Sequence, residues 1–138
     1  MTILVIDGYN AIYAIPEIKE KLNKSLLEAR ETILEYAQNY VRHNGLIDRA
    51  IVVFDGKDEH HSPISKHLGG KIQIFSNTGK GDDKVIETAK ILSKHSKIIV
   101  ASNDNYVRNN SKVYGAGIMD VRDLVKINPN KKTKKSKK

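Results

Sequence analysis

Runs of β-branched and aliphatic residues alternate along the chain with segments whose apolar positions recur at helical spacing. Ile3 to Ile6 form an unbroken apolar run, "AIVVF" at 50 to 54 another, and "KIIVA" at 97 to 101 a third. Runs this short and this dense in Val and Ile predict strands covered on both faces. "KIQIF" at 71 to 75 alternates and predicts a less protected strand. Between them, Ser25 to Asn44 carries Leu26, Ala29, Ile33, Ala37 and Tyr40 on one helical face. Ser25 and Glu28 have the spacing of a capping box, and Gly45 is placed to end the helix. A short helix is expected over Pro16 to Leu22, and a second long one from about Asp82 to His95 with Val85, Ala89 and Leu92 inward. After the 97 to 101 strand come a short helix near 105 to 110, a weak strand around Val113 and Tyr114, and a last helix near Val121 to Ile127. Strands alternating with helices imply an α/β fold with a parallel sheet flanked by helices. No internal repeat is visible, and no linker divides residues 1–127, which read as one domain.

Length and composition narrow the chemistry. A chain of 138 residues is long enough to bury about two thirds of its unfolded surface without a covalent staple. It has no cysteine, so thiolate catalysis, cysteine-ligated zinc and disulfides are excluded. No apolar run approaches the length of a signal-peptide core or a membrane span, which makes a cytoplasmic protein the default expectation.

The formal net charge is +8, but it is unevenly placed. "KKTKKSKK" at 131 to 138 holds six lysines, leaving 18 basic and 16 acidic residues, a net of +2, for the rest. Residues 128–138 are therefore expected to form a disordered lysine-rich tail. Lys131, Lys132, Lys134 and Lys135 suit an electrostatic arm for RNA or a ribosomal surface, and equally a solubilising tail.

The ends of the strands carry the chemical signal. "LVIDGYN" takes the first strand into Asp7, "IVVFDG" takes the second into Asp55, and "IIVASND" delivers Asp104 just beyond its apolar run. Asp82 and Asp83 in "KGDDK" open the helix that follows the 71 to 75 strand. In a parallel sheet all carboxyl ends point one way, and ligands bind in the crevice there. Each acid has an ordinary explanation: Asp82 and Asp104 as helix N-caps, Asp7 and Asp55 as turn residues before glycine. Together they are harder to explain, because two carboxylates about 5 Å apart repel by roughly 3 kcal/mol at an effective dielectric near 20. A divalent cation between them removes that cost, and an oxygen-only ligand set suits magnesium or manganese, as one ion or two.

"VIDGYN", "VVFDG", "GDDKVIETA" and "VASND", in this order and spacing, resemble the NYN nucleases of the PIN-like superfamily, and most closely their YacP-like bacterial branch. The resemblance runs from about residue 1 to 125. It implies a three-layer α/β/α fold with a central, mainly parallel sheet, and a metal-dependent endoribonuclease. By the same resemblance Asp7, Asp82 and Asp104 are the central acids, Asp55 matches the "FD" position, and Asn10 orders the first acid or the water of the metal. Asp83 stands behind them. Asn105 and Tyr106 supply no further carboxylate after Asp104, unlike the broader PIN pattern. Nor does the C-terminal helical extension typical of the branch follow Ile127.

RNA held against such an anionic site needs cations and stacking surfaces. Lys80 and Lys84 beside the acids, Arg108 after Asp104, and less directly Lys57 are candidate phosphate contacts, and Tyr9 and Tyr13 candidate base platforms. Solvated lysines and core tyrosines are the ordinary alternatives. His60 and His61 in "DEHH" offer a metal-free acid and base for RNA cleavage, although they leave the aspartates unexplained. Two other classes also place aspartates at strand ends. A haloacid dehalogenase type wants a second aspartate where this chain has Tyr9, and a receiver wants an acidic pair where Ile6 precedes Asp7. A non-catalytic RNA-binding module has no use for the strand-edge acids.

Overall fold

A computed structural model describes residues 1–55, 65–68, 72–77 and 83–126. Six strands form one sheet in the order β3-β4-β2-β1-β5-β6. They are β1 (Thr2–Asp7), β2 (Arg49–Asp55), β3 (Ser65–Leu68), β4 (Ile72–Asn77), β5 (Lys97–Ala101) and β6 (Gly117–Met119). All neighbours pair in parallel except β3, which closes one edge antiparallel to β4. The helices are α1 (Gly8–Ala14), α2 (Pro16–Lys19), α3 (Leu26–Arg42), α4 (Asp83–Leu92) and α5 (Asn105–Lys112), with 3₁₀ turns at Glu20–Asn23 and Val121–Val125.

The alternation of side chains along β1 divides the core in two. Leu4 and Ile6 face a cluster with Ile12, Ile18, Ala29, Ile33, Ala37 and Leu124, contributed by α1, α2, α3 and the second 3₁₀ turn. Ile3 and Val5 face Val85, Ala89 and Val107 from α4 and α5. The result is a three-layer α/β/α arrangement with β1 near its centre. All four apolar residues of β1 are at most 1% exposed, the burial expected of a parallel strand covered on both faces.

Several elements follow the sequence closely. Ser25 caps α3 by accepting the Glu28 amide at 3.0 Å, and Ala29, Ile33, Ala37 and Val41 line its buried face. Others differ. The helix stops at Arg42 with His43 as its cap: the His43 amide makes the last bond of helical spacing, to the Asn39 carbonyl, the Asn44 amide turns to Val41, and Gly45 has no left-handed conformation. The weak strand expected at Val113 and Tyr114 lies instead at Gly117–Met119. Val113 and Tyr114 form the exposed turn after α5, and Gly115 (φ +86°) reverses the chain into β6. The last helix is a 3₁₀ turn over Val121–Val125, started by Asp120. Helix α1 and strand β3 have no counterpart in the sequence reading. Residues 127–138, with the expected lysine tail and its boundary, lie outside the described residues.

Strand β1 passes into α1 without a loop, and Gly8 makes this possible. A Cβ on Gly8 would stand 2.6 Å from the Phe54 ring and 2.9 Å from the Val53 carbonyl oxygen. Only a residue without a side chain lets the first turn of α1 lie this close to β2.

Candidate functional site

Because β2, β1 and β5 are parallel neighbours, their carboxyl ends share an edge. Asp7 pairs with Val53 of β2, and Asp55 pairs with Asn77 of β4. On the other side Ile6 pairs with Ala101, so Ser102 to Asp104 leave β5 beside Asp7. Asp7 ends β1 and stands at the N-cap of α1, but its carboxylate makes no capping bond to that helix. It turns to β5 instead: the Ser102 hydroxyl donates to Asp7 Oδ2 at 3.0 Å. The same Ser102 Oγ accepts the Asp104 amide at 3.1 Å. One fully buried hydroxyl therefore joins the two acids.

Asp104 behaves differently. Its Oδ1 accepts the Tyr106 amide at 2.8 Å and the Val107 amide at 3.2 Å, capping α5, while Oδ2 takes no hydrogen bond from any described residue. The ordinary role as N-cap is thus real for Asp104 and uses one oxygen of two. Asn10, one turn into α1, accepts the Asn103 amide at 2.8 Å, so its oxygen positions the loop that carries Asp104. Asn103 in turn accepts the Val121 amide at 3.0 Å, tying that loop to the segment after β6.

That segment brings in residues that sequence reading passed over. Asp120 accepts from Arg122 through the backbone amide (2.8 Å), Nε (3.1 Å) and Nη2 (2.6 Å). These bonds, with a further one from the Asn103 side chain, hold the Asp120 carboxyl well below the usual carboxylate range. Ser102 and Asn103 stand in the sequence as ordinary polar residues within "VASND". The signal that could have found Ser102 is local: a serine two residues before an aspartate can close an ST turn on its amide.

The expected phosphate and base contacts fall in different environments. Tyr13 is 59% exposed on α1, whereas Tyr9 packs into the core against Phe54 with ring centroids 5.4 Å apart. The guanidinium of Arg30, a buried residue of α3, lies over both rings, at 5.9 Å from Tyr9 and 4.7 Å from Phe54. Lys84, in the first turn of α4, sits 3.8 Å from Glu87. Arg108 is half-buried one turn beyond Asp104. Asp82, Lys80, Lys57, His60, His61 and the tail lysines lie outside the described residues. Asp55 and Asp83 are placed by their backbones alone, at the end of β2 and the start of α4. Among the described residues no three acidic or histidine side chains are grouped to hold a metal. The carboxylates that Asp7 and Asp104 carry to this edge are hard oxygen donors of the kind magnesium and manganese take, and they fit as part of such a site.

The layering, the parallel neighbours of β1 and the acids on its carboxyl edge define a PIN-like domain of the NYN class. The YacP-like NYN domain matches residues 4–138, and the chain belongs to that family. Uncharacterized protein YacP of Bacillus subtilis (strain 168) is 42% identical over 55 residues, 40% of this chain and 31% of that protein. The match thus spans less than a third of that relative. Two crystal structures of Rae1 (YacP) from Bacillus subtilis superpose with a TM-score of 0.68. One, at 27% identity, covers 91% of this chain and 72% of that one; the other, a mutant at 25%, covers 91% and 74%. No helix among the described residues is long and apolar enough to cross a membrane.

Proposed function

We propose that this domain is a divalent-metal-dependent endoribonuclease acting in the cytoplasm, on RNA that is free or held by a ribosome. The observation that carries the reading is the pairing of Asp7 with Asp104 through Ser102. A carboxylate at a strand end that ignores its own helix and is steered toward a second acid is arranged for a ligand, not for a turn. Asp82, the residue before α4 in sequence, is assigned as the third acid, with Asp55 and Asp83 as supporting acids. Strand β4 ends opposite Asp55 on the same edge and α4 opens at Asp83 soon after, which supports that assignment.

A bound magnesium or manganese ion would supply charge neutralisation at the scissile phosphate and a more acidic water. The chain does the rest. Asp7 and Asp104 bring charge to this edge of the sheet, Ser102 ties the Asp7 carboxylate to the Asp104 amide, and Asn10 keeps the Asn103–Asp104 loop in register. Lys80, Lys84, Arg108 and the tail lysines offset the site's negative charge toward RNA, and Tyr13 offers a base platform. Tyr9, packed under Arg30, is better suited to shaping the start of α1.

The test is incubation of the purified protein with mixed RNA in magnesium, manganese or chelator. Cleavage is expected with metal, leaving 5′-phosphate and 3′-hydroxyl ends, and is expected to continue at a site carrying one 2′-deoxy sugar. Asp7→Asn should lower it by about 100-fold or more, on the scale of losing an essential electrostatic group. Removing residues 131–138 should flatten the salt dependence of RNA binding. Cyclic phosphate ends, or full activity in chelator, would move the chemistry to His60 and His61.

A further inference from the structure

Arg122 stands on the same edge of the sheet as the acids. Strand β6 runs parallel to β5 with Met119 opposite Ala101, and the Met119 carbonyl accepts the Ser102 amide at 3.1 Å. Asp120 therefore leaves the sheet level with Ser102 and Asn103. Its two carboxylate oxygens grip the guanidinium of Arg122 as a fork, Oδ1 taking Nε at 3.1 Å and Oδ2 taking Nη2 at 2.6 Å. Asn103 holds the same segment through the Val121 amide, and Asn10 holds Asn103. Two hydrogen bonds thus tie the first turn of α1 and the loop bearing Asp104 to the segment that carries Arg122, whose side chain is 62% exposed.

This pair does little for the fold. An exposed ion pair adds little to stability, and both of its members could serve as cap and solvent-facing residue without a bidentate grip. What the fork does is fix the plane of the guanidinium. Nη1 and the second proton of Nη2 make no hydrogen bond to any described residue, so the outer edge of the plane stays open to an anion. Both oxygens of Asp120 bond Arg122, so its carboxylate serves as a bracket for that cation.

We propose that Arg122, oriented by Asp120, binds a backbone phosphate of RNA next to the acid centre. The proposal rests on the endoribonuclease reading. A polyanion laid against Asp7 and Asp104 is repelled unless cations neutralise its neighbouring phosphates, and a planar, pre-oriented guanidinium matches two phosphate oxygens better than a mobile ammonium does. Arg122 is a binding residue in this arrangement, and Asp120 a positioning residue.

The experiment uses the full chain and a 12-nucleotide single-stranded RNA of mixed sequence, in chelator to prevent cutting, with affinity measured across a salt series. Arg122→Gln should weaken binding about three- to tenfold near 0.1 M salt and reduce the salt slope by about 0.7, the share of one single-strand phosphate. Arg122→Lys should restore the slope but only part of the affinity, since it keeps the charge and loses the fork. In metal, cleavage by Arg122→Gln should show a raised KM with a smaller change in kcat. Affinity and slope equal to the parent's would overturn the phosphate contact, as would a lowered melting temperature with RNA binding intact, the mark of a purely structural pair. If the parent itself neither binds nor cuts RNA, the endoribonuclease reading fails and the clamp fails with it. If the parent does both and Arg122→Gln matches it, the clamp alone is refuted.

Discussion

Replacing Ser102 by alanine isolates the joint between the two acids. The side chain is fully buried and makes two hydrogen bonds, donating to Asp7 Oδ2 at 3.0 Å and accepting the Asp104 amide at 3.1 Å. Alanine leaves the volume almost unchanged, so the cavity contribution is small and the cost is that of two groups stripped of a partner. A buried amide left unsatisfied costs about 1–3 kcal/mol, and a bond to a charged acceptor is worth about 1.5–3 kcal/mol. Some of this returns as the loop relaxes and water enters, so a net destabilisation of about 2–3 kcal/mol is expected. For a chain of this size that lowers Tm by roughly 6–12 °C. Thermal melting of Ser102→Ala checks it, with Ser93→Ala as control, since the Ser93 hydroxyl bonds the Lys90 carbonyl on the exposed face of α4. A double-mutant cycle with Asp7→Asn should show coupling above about 0.5 kcal/mol, the scale seen for residues in contact. A Tm within about 1 °C of the parent and no coupling would refute the claim that this hydroxyl holds the acids together.

Three further outcomes follow from separate contacts. Gly8→Ala forces a Cβ against Phe54 and the Val53 carbonyl and should cost about 1–3 kcal/mol by urea unfolding, while Gly45→Ala, with nothing within 4 Å, should stay within about 0.5 kcal/mol. Asp104→Asn keeps a good N-cap and should leave stability nearly unchanged, whereas Asp104→Ala should cost about 1 kcal/mol, and both should lose metal-dependent cleavage. Equal cleavage by Asp104→Asn and the parent would reduce Asp104 to a cap. The Asp120 carboxyl is lowered on folding by its bonds to Arg122, so its stabilisation is complete above the unfolded carboxyl value near 3.9 and is lost as pH falls further. Asp120→Asn should therefore flatten the decline of Tm below about pH 4 and change Tm little at pH 7, because an exposed pair adds little to stability.

What could be read from the sequence was whatever short-range pattern decides. The buried strands announced themselves by dense Val and Ile, and α3 and α4 by apolar residues at helical spacing, because burial on one or two faces imposes those periods directly. The strand-end acids were legible for the same reason, since a parallel sheet fixes which ends point together. Helix α1 was not, because "DGYN" has the composition of a turn, and only the close approach of Gly8 to Phe54 lets a helix begin there. Strand β3, "SKHL", has no apolar alternation and exists by pairing with β4. Arg30 falls on the buried side of α3 because Tyr9 and Phe54 receive it, a contact that no local window contains. The wiring of the site was hidden for the same cause: Ser102 meets Asp7, Asn103 meets Asn10 and Asn103 meets Val121 across long stretches of chain, and each residue alone looks like an ordinary polar loop position.

The central place of β1 in the sheet has a consequence for how the protein comes into being. Strand β1 is made before the other strands of the sheet, yet one of its two neighbours is β5, so its pairing is finished only after residue 101 has been made. Contacts this distant in sequence are slow to form, because the intervening chain must close before they bring any reward. The Ser102–Asp7 bond belongs to that last event. A growing or truncated polypeptide ending before Ser102 would carry Asp7 without the hydroxyl that bonds it and without Asp104, which lies beyond its end. On the proposed function, the arrangement that would engage an ion or an RNA strand therefore forms only after β5 and Ser102 have been made.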